Sequence, residues 1–115
     1  MSVDKAKAYY TSKDRSKKLN CAQSIIAAYM DKFLLDEKTI NVFGSYGAGK
    51  APGGECGALY AAKFMLKDKY PDKIKECEEF FASFAGSTKC KEIRALKKLS
   101  CIGCVEKAAE FLGEI

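Results

Sequence analysis

The sequence predicts an all-α protein, a single compact domain of five or six short amphipathic helices that spans residues 1–115. Three observations support this fold class. Apolar residues recur at helical spacing in most segments, no segment alternates as a strand would, and residues that cap helices stand between the segments. With 115 residues, nearly half of them apolar, the chain can bury one core but not two.

The first two predicted helices follow one another closely. Asn20 is placed to cap a helix over residues 21–33, and Asp36 to cap a shorter one over residues 37–43, which Gly44 ends. One face of the longer helix carries the apolar residues Ala22, Ile25, Ile26, Tyr29 and Phe33.

Two longer helices are predicted in the middle of the chain. Residues 56–70 are rich in Ala, Leu, Met and Lys, and the helix stops before Pro71. Residues 72–85 form the next helix, which Gly86 closes. Its predicted apolar stripe consists of Ile74, Cys77, Phe80, Phe81 and Phe84.

Two further helices complete the prediction. Thr88 can cap a helix over residues 89–99, and Ser100 can cap one over residues 101–115. Residues 1–19 are interpreted as a basic N-terminal segment of the same domain.

Charge and hydropathy exclude several classes of function. The net charge of +5 comes partly from the clusters "SKKLN" and "KCKEIRALKK", but Glu92 interrupts the second and no aromatic platform accompanies it. These clusters are therefore interpreted as solvated helix faces rather than a nucleic-acid site. With no apolar leader and no apolar run of bilayer length, we expect a cytoplasmic protein without membrane insertion. The generous apolar content would also allow a homodimer.

The stretch "GSYGAGKAPGG" comes close to a phosphate-binding loop but lacks its chemistry. Gly44, Gly49 and Lys50 have the right spacing, yet Ala51 stands where a hydroxyl residue should bind magnesium. Pro52 then removes a backbone donor where the phosphate-capping helix should already run. The sequence therefore does not predict nucleotide binding.

The six cysteines fall into two groups in a chain that contains no histidine. Four of them lie in the first turn of a predicted helix, namely Cys21, Cys56, Cys90 and Cys101. Helix N-termini carry unsatisfied N–H groups and partial positive charge, so we expect these positions to stabilise thiolates and to lower the cysteine pKa values. In a reducing compartment such cysteines indicate metal binding or redox chemistry rather than a disulfide framework.

The other two cysteines have helical spacing with apolar residues. Cys77 lies within the phenylalanine stripe and is predicted to pack in the core. Cys104 forms a C-x-x-C pair with Cys101, a spacing that both zinc sites and dithiol oxidoreductases use. Cys104 also shares a helical face with Ala108 and Phe111, so packing is an alternative role.

Four segments together resemble a known family: "NCAQSIIAAYM", "GGECGALYAA", "CKEI" and "CIGCVEKAAEFL". Their order and spacing are similar to those of the four-cysteine, CGAxxG-containing redox-active proteins, the C_GCAxxG_C_C family. The recurring cysteines of that pattern match Cys21, Cys56, Cys90 and Cys101. One departure is visible, because Ala61 stands where the family pattern has the closing glycine.

The resemblance implies redox chemistry without a defined reaction, and no catalytic residue is assigned. Similar domains occur joined to haem-binding segments in multihaem cytochromes that carry an iron–sulfur centre. We therefore expect Cys21, Cys56, Cys90 and Cys101 to ligate an iron–sulfur cluster that exchanges electrons with a redox partner protein. One alternative is a thiol–disulfide protein with Cys101 and Cys104 as the working pair. Another is a zinc-stabilised or purely structural module without turnover.

The glycine-rich loop is expected to support this site. Gly53 and Gly54 let the backbone turn tightly, and the small Gly57 and Ala58 let it approach the other cysteines. The backbone N–H groups of residues 54–57 are predicted to be free to bond the sulfur of Cys56.

Overall fold

The computed structural model describes residues 2–11, 19–33, 35–46 and 51–114. Some of the sequence-based predictions fall on the other residues and so lie outside this description. They concern part of the basic N-terminal segment, and Gly49 and Lys50 of the glycine-rich loop.

The described residues form seven α-helices and no strand, which confirms the all-α prediction. Six of the seven helices have seven or more residues, close to the predicted number. In chain order they are α1 (Ser2–Thr11), α2 (Cys21–Tyr29), α3 (Glu37–Val42), α4 (Gly57–Leu66), α5 (Ile74–Ala85), α6 (Cys90–Leu96) and α7 (Cys101–Gly113). Short 3₁₀ turns cover Phe43–Ser45, Pro52–Gly54 and Pro71–Lys73.

Helix α7 is the centre of the packing. Helices α1, α2, α4 and α5 all contact it, and α2 also packs against α1 and α4. The apolar faces of α2, α4 and α7 are buried together, with Val105, Ala109 and Leu112 of α7 inaccessible to solvent. The buried hydroxyl of Tyr29 donates a 2.6 Å hydrogen bond to the carbonyl oxygen of Ala109, so the one polar atom of this ring is satisfied inside the core.

Most of the predicted caps are confirmed, although α2 and α4 end earlier than the predicted residues 33 and 70. The side chain of Asn20 accepts a 2.7 Å hydrogen bond from the backbone of Gln23, whose side chain bonds back to the Asn20 backbone in a capping box. Asp36 caps α3 and Ser100 caps α7 in the predicted manner. Gly86 ends α5 with a left-handed φ of 85°, a conformation that costs glycine little.

The predicted cap of α6 is wrong. Lys89, not Thr88, occupies the N-cap position, and it makes no side-chain capping bond. The carbonyl oxygen of Thr88 instead accepts a hydrogen bond from the backbone of Cys56, and this pairing keeps the segment extended for one residue longer. Helix α6 also ends early, because Lys97 adopts a left-handed conformation with φ 56°.

The buried face of α5 differs from the predicted apolar stripe. Cys77, Phe81 and Ala85 are its buried residues, whereas Phe84 is 43% exposed. The ammonium group of Lys107 lies 4.2 Å from the centre of the Phe84 ring, which gives this exposed aromatic face a favourable cation–π contact.

The helix α1 was not predicted from the sequence. Its Ala6 is fully buried, and its Lys7 forms a 2.9 Å ion pair with Glu106 of α7. Because α1 contacts both α2 and α7, part of the predicted basic segment belongs to the packed core. The assignment of residues 1–115 to one domain stays a prediction.

The described helices are short. None of them is both long enough and apolar enough to cross a membrane.

We expect substitutions at the caps of α2 and α3 to lower the free energy of unfolding by different amounts. Asn20→Ala removes the cap of α2 and also two bonds from the Asn20 amide to the carbonyl oxygens of Phe43 and Gly44. We expect the free energy of unfolding to fall by about 1 to 2 kcal/mol. Asp36→Ala is the matched control, since this exposed cap makes a 3.3 Å bond and its loss should cost only about 0.5 kcal/mol. Urea unfolding followed by circular dichroism measures both values, and equal losses would contradict the proposed anchoring by Asn20.

Candidate functional site: a cysteine-lined cavity

A cavity of about 770 Å³ lies where several helices begin. The four cysteines that the sequence singles out all line it, and a fifth, Cys104, joins them. Cys21 begins α2, Cys90 begins α6 and Cys101 begins α7, while Cys56 stands at the N-cap of α4. The fold thus brings together cysteines as far apart in the chain as Cys21 and Cys104.

A backbone pairing holds two of these helix starts side by side. The N–H group of Cys56 donates a 2.9 Å hydrogen bond to the carbonyl oxygen of Thr88. The neighbouring residues Glu55 and Lys89 form an isolated antiparallel bridge. The start of α4 is therefore fixed against the start of α6, and Cys56 is held near Cys90.

Gly57 brings the start of α4 against α2. A Cβ atom built on Gly57 would lie 2.8 Å from the sulfur of Cys21 and 2.5 Å from the carbonyl oxygen of Tyr46. Real Cβ atoms do not approach other atoms so closely, so only glycine lets the two segments meet here. The sulfur of Cys21 thus rests directly against the backbone that carries Cys56.

The loop before Cys56 has the predicted turn but different hydrogen bonds. Gly53 and Gly54 have φ values of 73° and 75°, which glycine adopts without strain. The prediction of free N–H groups is wrong for two of the four residues, because Gly54 donates to Ala51 and Cys56 donates to Thr88. The N–H groups that favour the Cys56 thiolate belong to the first turn of α4, at Ala58 and Leu59.

Cys104 has a contact that the sequence does not reveal. It is only 4% exposed, as expected for a packing residue, yet it also lines the cavity. Its thiol lies close enough to that of Cys56 to raise the pKa of Cys56. All six cysteines are free thiols, so the Cys101–Cys104 pair of the C-x-x-C motif is not joined by a disulfide.

The expectation of lowered cysteine pKa values is wrong at two positions. The neighbouring thiol of Cys104, together with burial, raises the pKa of Cys56 well above its ordinary value, and the N–H groups at the start of α4 offset this only in part. Burial also raises the pKa of Cys90, although the charge of Arg94 opposes the effect. At these two cysteines, desolvation and neighbouring thiols outweigh the helix N-terminus.

Cys77 lies apart from this cavity. It is fully buried, which confirms the predicted core position, and burial raises the pKa of its thiol to about 12. The nearest charges belong to an ion-pair network in which Lys63 contacts both Glu55 and Glu78 at 3.0 Å. Cys77 is therefore an inert packing thiol at neutral pH.

Two polar side chains of the cavity were missed by the sequence analysis. Tyr10 and Arg94 line the cavity together with Cys101, and the neighbouring sulfur groups of Cys90 and Cys101 raise the pKa of Arg94. Burial first, and then the neighbouring Cys101, raise the pKa of Tyr10 to about 12. The four-residue spacing of Ala6 and Tyr10 is a helical signal that could have pointed to Tyr10, but nothing in the sequence links Arg94 to this sulfur.

Metal centres that bind cysteine thiolates differ in how far apart they hold the sulfur atoms. Among the residues that the structure describes, no three cysteine or carboxylate side chains are arranged to hold a metal ion. A tetrahedral zinc ion bonds each sulfur at about 2.3 Å and so needs its four sulfurs about 3.8 Å apart. An iron–sulfur cluster places its own iron and sulfide atoms between the ligands and keeps them further apart. The thiols that line the cavity are ligands that both kinds of centre take, and a cluster does not need the short sulfur spacing of a zinc site.

These features define a small all-helical protein whose helix starts gather thiols around one cavity. The family model described as "Putative redox-active protein (C_GCAxxG_C_C)" matches residues 19–115, and the chain belongs to this family. The match includes all six cysteines and every helix except α1. No curated protein and no solved structure matches the chain significantly.

The close approach at Gly57 generates a stability prediction. Gly57→Ala should lower the free energy of unfolding by about 1 to 3 kcal/mol, because the new methyl group must push apart Cys21 and the backbone of Tyr46. Gly44→Ala is the matched control on the same cavity, since its methyl group would meet only the end of the Gln23 side chain, at 3.2 Å. Urea unfolding measures both variants. Equal stability of the two proteins would show that the approach at Gly57 is not essential.

Proposed function

We propose that this protein transfers electrons through an iron–sulfur cluster ligated by Cys21, Cys56, Cys90 and Cys101. The observation that carries the proposal is the convergence of these four cysteines on one cavity from four separate helix starts. Core packing alone does not require thiols at all four positions. Thiolates are the soft ligands that iron–sulfur clusters take, and the chain has no histidine to replace any of them.

The electrostatics of the cavity support a bound cation over free thiolates. The thiols of Cys21, Cys56 and Cys101 each raise the pKa of Cys90, so the four groups are close enough to oppose one another's ionisation. Four neighbouring thiolates repel strongly unless positive charge lies between them. The iron of a cluster supplies that charge, whereas an empty cavity favours the neutral thiols.

Other side chains of the cavity have distinct roles in this proposal. The apolar Ile93 and Leu99 line the cavity and limit the access of water, which helps to set the reduction potential. Arg94 and Lys97 add positive charge at the cavity wall, which offsets the negative charge of a thiolate-bound cluster. When bound, the cluster supplies one-electron transfer, and the protein holds it and controls its surroundings.

The proposal implies a partner. Electrons must come from and go to other molecules, and we propose a redox partner protein that contacts the open side of the cavity. Six free thiols suit the reducing cytoplasm, the compartment in which we propose that the protein acts. A homodimer is compatible with this function and is not required by it.

The contact between Cys56 and Cys104 favours a second candidate function, thiol–disulfide exchange. Two neighbouring thiols can form a disulfide as they pass two electrons and two protons to a partner disulfide, which becomes two thiols. The raised pKa of Cys56 opposes this function, because the thiolate is the reacting species. The Cys101–Cys104 pair of the C-x-x-C motif stays a prediction for the same chemistry.

Single alanine variants test the ligand set. After anaerobic purification we expect a brown native protein that contains iron and sulfide. Replacement by alanine of Cys21, Cys56, Cys90 or Cys101 should lower the iron and sulfide content several-fold, since each removes one ligand. Cys77→Ala is the matched control, because this thiol lies in the core and its loss should cost only packing. A colourless native protein, or full iron content in the four variants, would contradict the cluster.

The Cys104→Ser variant distinguishes the two candidate functions. If the four-cysteine set is complete, Cys104→Ser should keep its iron and sulfide content with a modest loss of stability, because Cys104 is buried. If dithiol exchange is the function, the same variant should lose disulfide exchange, because no resolving thiol remains. Iron content and thiol exchange are both measured under anaerobic conditions. Loss of iron in Cys104→Ser would make Cys104 part of the ligand set.

A further inference from the structure

The exposed part of the cavity wall lies mainly in one segment of the chain. The described residues that line the cavity and are themselves exposed are Gly44, Arg94, Lys97, Ser100 and Cys101. Four of these five lie within residues 94–101, whereas Cys56 and Gly57 on the α4 side are buried. A molecule that approaches the thiols from solvent therefore meets the end of α6 and the start of α7 first.

This segment is strongly basic. Residues 89–98 contain five lysine and arginine residues and one acidic residue, Glu92. Four of the basic residues are exposed, namely Lys91, Arg94, Lys97 and Lys98. Within the described part of the chain, none of these four forms an ion pair with a carboxylate. The carboxylate of Glu92 instead accepts a 3.0 Å hydrogen bond from the hydroxyl of Ser87.

An exposed leucine stands among these cations. Leu96 is the last residue of α6 and is 50% exposed. The side chains of Leu96 and Lys98 both lie against the end of α5, since a Cβ atom built on Gly86 would lie 2.8 Å and 3.2 Å from them. Apolar surface surrounded by a polar rim is typical of protein interfaces. We refer to Lys91, Arg94, Leu96, Lys97 and Lys98 as the α6 face.

The charge of the cavity wall has the same sign as that of the α6 face. Among the described residues that line the cavity, none is a carboxylate, and Arg94 and Lys97 are the cations. A cleft lined by charges of one sign attracts molecules of the opposite sign and raises their rate of association. The approach to the thiols therefore favours an anionic molecule over a cationic one.

We infer that the α6 face is the docking surface for a redox partner protein whose own surface is acidic around its redox centre. The inference deepens the proposed function and rests on it. One electron passes between the two proteins, so that one is oxidised as the other is reduced. Opposite charges steer the two surfaces together and fix their orientation, while Leu96 adds apolar contact area. Docking here brings the partner next to Cys101, an exposed member of the proposed ligand set.

Two other occupants fit the α6 face less well. A second copy of the chain, related by a twofold axis through this face, would place the same cations opposite one another, and their repulsion opposes that contact. A nucleic acid would be attracted by the charge, but the α6 face contains no aromatic side chain on which bases can stack.

Oxidants of opposite charge test the α6 face on the reduced, iron-loaded protein. Ferricyanide is anionic and tris(phenanthroline)cobalt(III) is cationic, and each accepts one electron. In Lys91→Gln/Arg94→Gln/Lys97→Gln, the ratio of the ferricyanide rate constant to the cobalt rate constant should fall about 10-fold at low ionic strength. The ratio is used because a change in reduction potential affects both reactions. Stopped-flow absorption measures the two rates.

A matched triple variant distinguishes local from total charge. Lys38→Gln/Lys69→Gln/Lys75→Gln also removes three charges from exposed residues, none of which lines the cavity. Its ratio should stay within about 2-fold of the native value, because screening limits the reach of distant charges. An equal fall in the two triple variants would overturn the inference.

A measurement on the metal-free protein does not depend on the cluster. The thiol of Cys101 is treated with an anionic disulfide reagent, dithiobis-nitrobenzoate, and with a neutral one, dithiodipyridine. The Cys101→Ser variant identifies the phase that belongs to this thiol. The ratio of the anionic to the neutral rate should fall several-fold in the first triple variant and stay constant in the second. An unchanged ratio in the first would overturn the inference.

Two binding probes identify the class of partner at an ionic strength of about 0.15 M. A plant-type ferredoxin with an acidic surface should shift the amide NMR signals of residues 91–98. Leu96→Ala should weaken this binding several-fold, whereas Val42→Ala, at a residue that is 59% exposed on α3, should not. Absence of shifts at the α6 face would overturn the inference. Tighter binding of a single-stranded DNA oligonucleotide would also overturn it, in favour of a nucleic-acid site.

Failure of this inference and failure of the proposed function give different results. A native protein without iron would contradict the cluster, while the thiol reagents and the ferredoxin titration would still decide whether the α6 face attracts an acidic molecule. A native protein with iron and sulfide, but with unchanged ratios in the first triple variant, would keep the proposed function and remove the α6 face as its docking surface.

Discussion

The hydrogen bond from the backbone of Cys56 to the carbonyl oxygen of Thr88 is the constraint on which the arrangement of the site depends. It links two loops that are distant in the sequence, and each leads directly into a helix start that carries a cysteine, Cys56 at the N-cap of α4 and Cys90 as the first residue of α6. Because the bond uses backbone atoms, it does not depend on which side chains stand there. It also displaces the start of α6 by one residue, so that Lys89 takes the cap position.

The fold class and the helix starts could be predicted because their signals are local. Asn20 and Ser100 cap through bonds that reach only three residues along the chain, and the apolar period of α2 is complete within nine residues. The cap predicted at Thr88 is wrong for the opposite reason, because its carbonyl oxygen accepts a hydrogen bond from a residue far away in the sequence. Helix α1 was missed because, among its side chains that the structure describes, residues 5–10, only the small Ala6 is fully buried.

The site could be predicted only in part, for the same physical reason. The sequence identifies Cys21, Cys56, Cys90 and Cys101 through their positions at helix starts, and the fold brings them to one cavity. It does not identify Tyr10 or Arg94, which line the same cavity as Cys101 only after three helices have packed together. The pKa values were misjudged because a helix N-terminus is visible in the sequence, while burial and the approach of other thiols are properties of the folded state.

The wall of the cavity is built from two separate segments of the chain, helix α1 and the part from residue 19 onward. One stretch carries every cysteine, and the other carries the helix that places an aromatic hydroxyl beside one of them. Substitutions in the short first stretch can therefore alter the polarity of the wall while every cysteine of the chain is kept. Such a helix offers a way to adjust the electronic surroundings of the thiols from a segment that carries none of them.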